Sequence, residues 1–196
     1  MKNTKIWKVL QYIRYELFYI QYKTVYKLDI TGKGNEFPAC EAPLSFRKAS
    51  LEEIKALSRD EHDYDTDDHR FSEKRFKLGD NAIIGYIDNH PVAYGWQMLG
   101  EMELSYEKYI KLNPAIVYSY KVFVVESQRK KGILRKYYNF ISSYYARKGF
   151  NSIIATIDNR NIASTKAHLK AGFTKVGTIT TIKLGLYTYN FYNLVT

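Results

Sequence analysis

Between residues 122 and 173 the hydrophobic pattern changes period repeatedly. The apolar, largely β-branched run Val122-Phe123-Val124-Val125 has the length of a buried strand. A basic stretch from Ser127 to Lys131 follows and ends in Gly132. From there Ile133, Leu134, Tyr137, Tyr138, Phe140, Ile141, Tyr144 and Tyr145 recur at helical spacing as far as Gly149, a helix stop. Ile153-Ile154-Ala155-Thr156-Ile157 reads as a second buried strand. Asn161 stands where it can cap a second helix, which Gly172 closes. The predicted order is strand, glycine loop, helix, strand, helix, a βαβα unit.

Upstream, residues 3–28 carry Ile6, Val9, Leu10, Ile13, Leu17 and Ile20 as a stripe at helical spacing, with Lys2, Lys5, Lys8, Arg14 and Lys23 around it. This pattern predicts an N-terminal amphipathic helix. Two roles are open for it: packing on the domain or on a second copy, or lying on an anionic membrane surface. Residues 31–38 read as a linker by composition. The division is therefore an appendage with its linker over 1–36 and a folded domain over 37–196. In that domain Leu44 to Lys48 predicts a strand, and Ser50 caps a helix with Glu52 and Glu53 in its first turn. Asn81 to Ile87 and Pro91 to Leu99 predict a hairpin around Asp88-Asn89-His90, with Gly95 marking a bulge or a close backbone approach. A Tyr- and Lys-rich connection leads to the strand at Val117. Lys175 to Ile182 and Lys183 to Tyr192 are two further strand-like runs. The fold class is α/β (α+β): a mixed, mostly antiparallel central sheet flanked by helices.

Composition narrows the partners. The 196 residues carry a net charge of +10 and 19 tyrosines. That charge calls for an anionic partner: a phosphate-bearing cofactor, nucleic acid or an acidic membrane surface. The basic residues spread along the chain without a nucleic-acid motif, which argues against DNA or RNA. Cys40 is the single cysteine, so no internal disulfide framework is expected. The apolar runs are too short and too often interrupted by charge to span a bilayer or to act as a signal peptide. The expectation is a cytoplasmic protein, with the inner membrane surface as its peripheral site if the basic helix binds lipid. Residues 60–69, DEHDYDTDDH, form an acidic block in a basic chain. His62 and His69 match no standard metal spacing, and no metal is expected.

The basic loop carries the candidate chemistry. Amides of a turn that opens a helix converge, and the helix dipole adds partial positive charge, so such a loop cradles a phosphate or diphosphate. Gly132 removes the Cβ that would keep a ligand away. Gln128-Arg129-x-x-Gly132 resembles the acetyl-CoA pyrophosphate loop of the GCN5-related N-acetyltransferase (GNAT) family. Asn161-x-x-Ser164-x-x-x-His168-x-Lys170-x-Gly172-Phe173 resembles that family's second helix motif. The resemblance runs from about Leu44 to Asn190. It departs from the family at Leu134, where a Gly or Ala is usual, and at His168, where relatives often carry a Tyr.

The resemblance implies the acyl-CoA N-acyltransferase fold and an acetyl-CoA-dependent transfer to a primary amine, such as an amino sugar or an envelope precursor. It assigns Phe123, Val124 and Val125 to the pantetheine and thioester. Arg129, Lys130, Lys131, Gly132, Ile133 and Leu134 go to the diphosphate, and Asn161 and Ser164 to the pantetheine arm. His168 is the candidate general acid, and Glu103 and Glu126 are the candidate bases. The acidic block would line the acceptor side. A catalytically silent acyl-CoA-binding or regulatory module is the alternative, and a homodimer is compatible with either.

Overall fold

The computed structural model describes residues 18–35, 42–60, 69–105 and 108–194. Its described strands are β1 (Phe18–Asp29), β2 (Leu44–Lys48), β3 (Asn81–Ile87), β4 (His90–Leu99), β5 (Glu101–Ser105), β6 (Lys108–Lys111), β7 (Ile116–Val124), β8 (Ser152–Asp158), β9 (Thr174–Leu184) and β10 (Tyr187–Leu194). The described helices are α1 (Leu51–Asp60), α2 (His69–Lys77), α3 (Ile133–Ala146) and α4 (Ile162–Lys170). Eight strands form one sheet in the order β10-β9-β1-β8-β7-β4-β3-β2, and β5 and β6 form a separate hairpin. Neighbours in the large sheet are antiparallel except for β7 and β8, which are parallel.

Two cores lie on the two faces of this sheet. On one face α3 lays down a stripe of Ile133, Tyr137, Tyr138, Ile141 and Tyr145 against Tyr26, Leu28, Val117, Ile153 and Phe173. On the other, Ile54 and Leu57 of α1, Phe71 and Phe76 of α2, and the β5–β6 hairpin cover Val25, Trp96, Tyr118 and Tyr120. The hydrophobic period of α3 therefore fixes which of its residues are inside, as its sequence predicts. Helix α1 opens on a reciprocal cap: the Ser50 Oγ accepts from the Glu53 amide (3.2 Å) and Glu53 Oε2 accepts from the Ser50 amide (2.9 Å). Arg47 beside it, with those amides, draws the Glu53 carboxyl down to about 2.

The helix expected over 3–28 is overturned where the chain is described. Phe18–Asp29 is a strand, and it lies inside the sheet between β8 and β9. The period-3.6 stripe of Ile6 to Leu17 stops there, and Phe18-Tyr19-Ile20-Gln21-Tyr22-Lys23-Thr24-Val25-Tyr26 is rich in aromatic and β-branched residues, which favour a pleated surface. The boundary of the appendage at residue 36 fails with it, because β1 is hydrogen-bonded on both sides within the domain's sheet. The part of the expected linker that is described, Lys33–Asn35, packs on α3. Residues 3–17 and the acidic stretch 61–68 lie outside the described residues, and with them His62 and the carboxylates of Asp65, Asp67 and Asp68.

Gly95 combines both roles expected of it. The β4–β7 register shifts beside it. A Cβ there would overlap the Tyr137 hydroxyl and crowd Val122 Cγ2 at 2.9 Å. Gly95→Ala should therefore destabilise the protein by about 1–3 kcal/mol, as overpacking does, read from urea unfolding.

Candidate active site

The two parallel strands part in the middle of the sheet. Pairing of β7 with β8 runs from Ile116↔Ser152 to Ser119↔Ala155 and goes no further. Beyond that point β7 follows β4, reaching Ala93↔Val124, while β8 follows β1, reaching Lys23↔Asp158. A bulge drives the divergence. Between the pairs Tyr94↔Phe123 and Trp96↔Tyr120, two residues of β7, Lys121 and Val122, stand opposite one of β4, Gly95, and Lys121 takes φ +46°. The result is a wedge at the carboxyl ends of two parallel strands, flanked by Phe123 and Val124, both half-buried. Open α/β sheets bind ligands at such carboxyl-end crevices.

The basic loop closes the mouth of this wedge. A short 3₁₀ turn, Glu126–Gln128, leaves β7, with the Gln128 amide donating to Val125 O and the Arg129 amide to Glu126 O. Lys130 and Gly132 then take left-handed conformations at φ +65° and +77°, and Gly132 becomes the N-cap of α3. Among the described residues, the backbone amides of Lys130, Lys131, Gly132 and Ile133 meet no acceptor. A Cβ at Gly132 would meet nothing within 4 Å. These amides at the positive end of a helix of fourteen residues fit an anion such as a diphosphate. The Arg129 Nε donates back to Val124 O at 3.0 Å, and its guanidinium lies 5.4 Å from the Phe123 ring centre. Leu134 packs its side chain on the core with α3, so the departure from Gly or Ala is absorbed on the inner side of the helix. Ile133 is buried in that core and has only its backbone to offer.

Asn161 and Ser164 turn out to hold α4 itself. The Asn161 side chain accepts from the Ser164 amide at 3.0 Å, the N-cap expected from the sequence.

His168 does not stand in the wedge. It is 5 % exposed, its Nδ1 donates to Ser164 O at 2.8 Å, and its Nε2 accepts from the Tyr138 hydroxyl at 2.9 Å. Its ring also packs on Phe173. Both nitrogens are committed, and burial pushes its pKa below the usual histidine value. This corrects the general-acid assignment: His168 ties α4 to α3. A spacing motif places a residue on the right helix turn but not at the right depth. The sign of its titration follows. The unfolded chain binds a proton near pH 6.5 and the folded chain only lower, so this residue costs stability as pH falls below 6.5 and nothing above it. Urea unfolding between pH 8 and pH 5 should show a steeper loss for the unmodified protein than for His168→Phe.

On the opposite face a buried charged cluster adjoins β7. Arg75 of α2, 2 % exposed, reaches Asp80 Oδ2 at 3.3 Å and Glu103 Oε2 at 3.6 Å, and donates to the Tyr109 hydroxyl at 3.3 Å. The Tyr120 phenol donates to Asp80 at 2.6 Å. Burial raises the Asp80 pKa and pushes the Tyr120 phenol far up. The Tyr118 hydroxyl bonds Thr156 Oγ1 at 2.8 Å, across the point where the strands part, and burial pushes it up to about 12. The field of Glu103 reaches both Tyr118 and Lys23, whose ammonium burial pulls down. Glu103, partly exposed, lies on this face 3.6 Å from Arg75, and the carbonyl of its neighbour Leu104 accepts from Lys23 Nζ at 3.4 Å. Glu126 is exposed in the turn after β7. Sequence reasoning missed Arg75, Asp80 and Tyr120. The only available signal was an arginine between Phe71 and Phe76 on the apolar side of α2. A cavity of about 620 Å³ opens against Arg75, Asp80, Glu101 and Tyr109, toward the start of β7 and away from the loop.

No family sequence model matches the chain, and no curated protein matches it in sequence. Solved structures do match its fold. An acetyltransferase of the GNAT family from Colwellia psychrerythraea aligns with a TM-score of 0.60 and 15% identity, over 90% of this chain and 61% of its own. A GCN5-related N-acetyltransferase from Kribbella flavida gives 0.51 and 16%, over 89% and 63%. AAC(6')-Iy, in complex with the bisubstrate analogue CoA-S-monomethyl-acetylneamine, gives 0.53 and 19%, over 68% and 92%. The fold is thus the GNAT acyl-CoA N-acyltransferase fold. The chain spans less than two thirds of the Colwellia and Kribbella proteins.

Proposed function

We propose that this chain is an acetyl-CoA-dependent N-acetyltransferase that passes an acetyl group to a primary amine by direct attack in a ternary complex. One observation carries the reading. Parallel strands part after Ser119↔Ala155 beside a helix-opening loop whose amides meet no acceptor, among the described residues, in the protein. Those amides and the surrounding cations of Arg129, Lys130 and Lys131 suit the diphosphate of a coenzyme A thioester. The wedge between β7 and β8 suits its arm, with Phe123, Val124 and Val125 along one wall.

Bound acetyl-CoA supplies an activated acyl carbon with a thiol leaving group. The chain's own part is to position, desolvate and move a proton. Glu103 takes the proton of the acceptor ammonium, directly or through a water, since only the neutral amine attacks. The new C–N bond forms as the C–S bond breaks; the attacking nitrogen sheds its second proton to the departing thiolate, and the proton held by Glu103 leaves to solvent. A thiol pKa near 8.5 makes a dedicated imidazole acid dispensable. The acceptor is an amine of the amino-sugar or envelope-precursor class, handled in the cytoplasm.

A catalytically silent acyl-CoA-binding module is the second reading, favoured by the burial of His168. Acetyl-CoA titration by calorimetry separates these readings. Gly132→Ala places a Cβ before the amides at a left-handed position, and loss of one charge-assisted amide contact should weaken acetyl-CoA binding on the order of tenfold, ~1.4 kcal/mol. Unchanged affinity in that variant would falsify the diphosphate site. Binding without thiol release across a broad amine panel would select the silent module.

A further inference from the structure

The outer third of the sheet is apolar on the side that faces solvent. Phe18, Ile20 and Tyr22 of β1 stand in register, across positions 184, 182 and 180 of β9, with Tyr187, Tyr189 and Phe191 of β10. Partners in register share a face, and alternate residues of a strand share it too. The six are between 43 and 69 % exposed. The other side of the same strands mixes polar residues with the buried Ile179, and it is the covered one. There Thr181 donates to Asn190, and Asn190 to Ser105 of the β5–β6 hairpin, while Lys108 of that hairpin donates to Thr188 O. What stays bare is an apolar surface, largely aromatic on β1 and β10 with Leu184, Ile182 and Thr180 of β9 between them, larger than the scattered exposure of ordinary apolar residues.

We propose that residues 3–17 of this chain cover that surface. The segment joins β1 at Phe18, a corner of the face, so it is tethered at the docking point. Its Ile6, Val9, Leu10, Ile13 and Leu17 recur at intervals of three and four, with Lys5, Lys8 and Arg14 between them. Fifteen residues of helix would be about 22 Å long. Three strands about 4.8 Å apart are about 10 Å across, so one such segment suffices to cover the rows. Tethering gives an effective concentration on the order of millimolar, above what a second copy reaches in solution. The register rows that make up the face contain no Lys or Arg, since Lys23 and Lys183 fall on the other side. An anionic bilayer favours cations at its contact surface. The basic groups of the segment would then point outward, where the +10 net charge is solvated.

Trp7 reports on this directly, because the second tryptophan, Trp96, is buried in the core. Subtracting the emission of Trp7→Phe from that of the full chain isolates Trp7. The expected result is a blue-shifted Trp7, protected from acrylamide, without lipid and independent of protein concentration. Tyr189→Asp with Phe191→Asp should shift it to the red and abolish protection. Leu10→Asp with Ile13→Asp, which leaves the face intact, should do the same. The proposal is overturned by a solvent-exposed Trp7 in the full chain. It is also overturned by protection that appears only with phosphatidylglycerol vesicles, or only where sedimentation shows a dimer.

Discussion

Replacing Arg75 by methionine should lower the free energy of unfolding by about 3–5 kcal/mol, the cost of breaking a buried ion pair from one side. Methionine fills most of the volume, so the loss comes from charge rather than from a cavity. What remains is Asp80, 6 % exposed, with the Tyr120 phenol donating to it at 2.6 Å, and Glu103 without its 3.6 Å partner. The double variant Arg75→Met with Asp80→Asn should recover much of the loss, since it removes the stranded charge as well. The pH dependence has a definite sign. The Asp80 pKa is raised in the fold, so the folded state takes up its proton at a higher pH than the unfolded chain does. In the single variant that pKa rises further, and the deficit should shrink as pH falls from 8 toward 5. Equal deficits at both ends of that range, in urea titrations, would show that Asp80 is not the group left uncompensated.

Glu103→Gln should reduce kcat/KM for the amine about 100-fold or more near neutrality, within the range that positioned proton transfer contributes. Glutamine keeps the shape and a hydrogen-bonding oxygen toward Arg75 but accepts no proton at these pH values. Acetyl-CoA affinity should hold, because Glu103 belongs to the β5–β6 hairpin and its Arg75 cluster, apart from the loop that opens α3. The deficit should narrow at high pH, where the free amine is already abundant. Glu126→Gln should stay within about twofold, since its side chain is exposed after the strand and no part of the charged cluster. A large loss in Glu126→Gln with Glu103→Gln intact would move the base to the cofactor side of the wedge.

The βαβα unit was legible because everything that specifies it is local. A four-residue apolar run, a left-handed glycine, a helical stripe and an Asn cap lie within fifty residues of one another, and each acts on its own neighbours. The hairpin from β3 to β4 was legible for the same reason, with Asp88 and Asn89 taking the positive φ that its two-residue turn requires. The β5–β6 hairpin and α2 were not read, because their apolar patterns are short and mixed with charge.

Strand β1 was misread because an apolar aromatic run fits either period over a dozen residues. What decides it is pairing with β8, where Lys23 meets Asp158, and with β9, where Val25 meets Gly177. Those partners are contributed by the far end of the chain. Depth was equally invisible. Spacing puts His168 on the inner side of α4, but only the packing of Tyr138 and Phe173 around it turns a proton donor into a buried strut. The same holds for Arg75, whose burial is created by α2, β7 and the β5–β6 hairpin closing over it. The sequence by itself therefore determined the secondary elements of the βαβα unit and the loop that would hold a diphosphate, through short-range periodicity and backbone freedom. Only tertiary structure decided which strand fills the centre of the sheet and which ionisable groups face the wedge. The first depends on strands more than a hundred residues apart in the chain, the second on side chains 30 to 40 residues apart that only packing brings together.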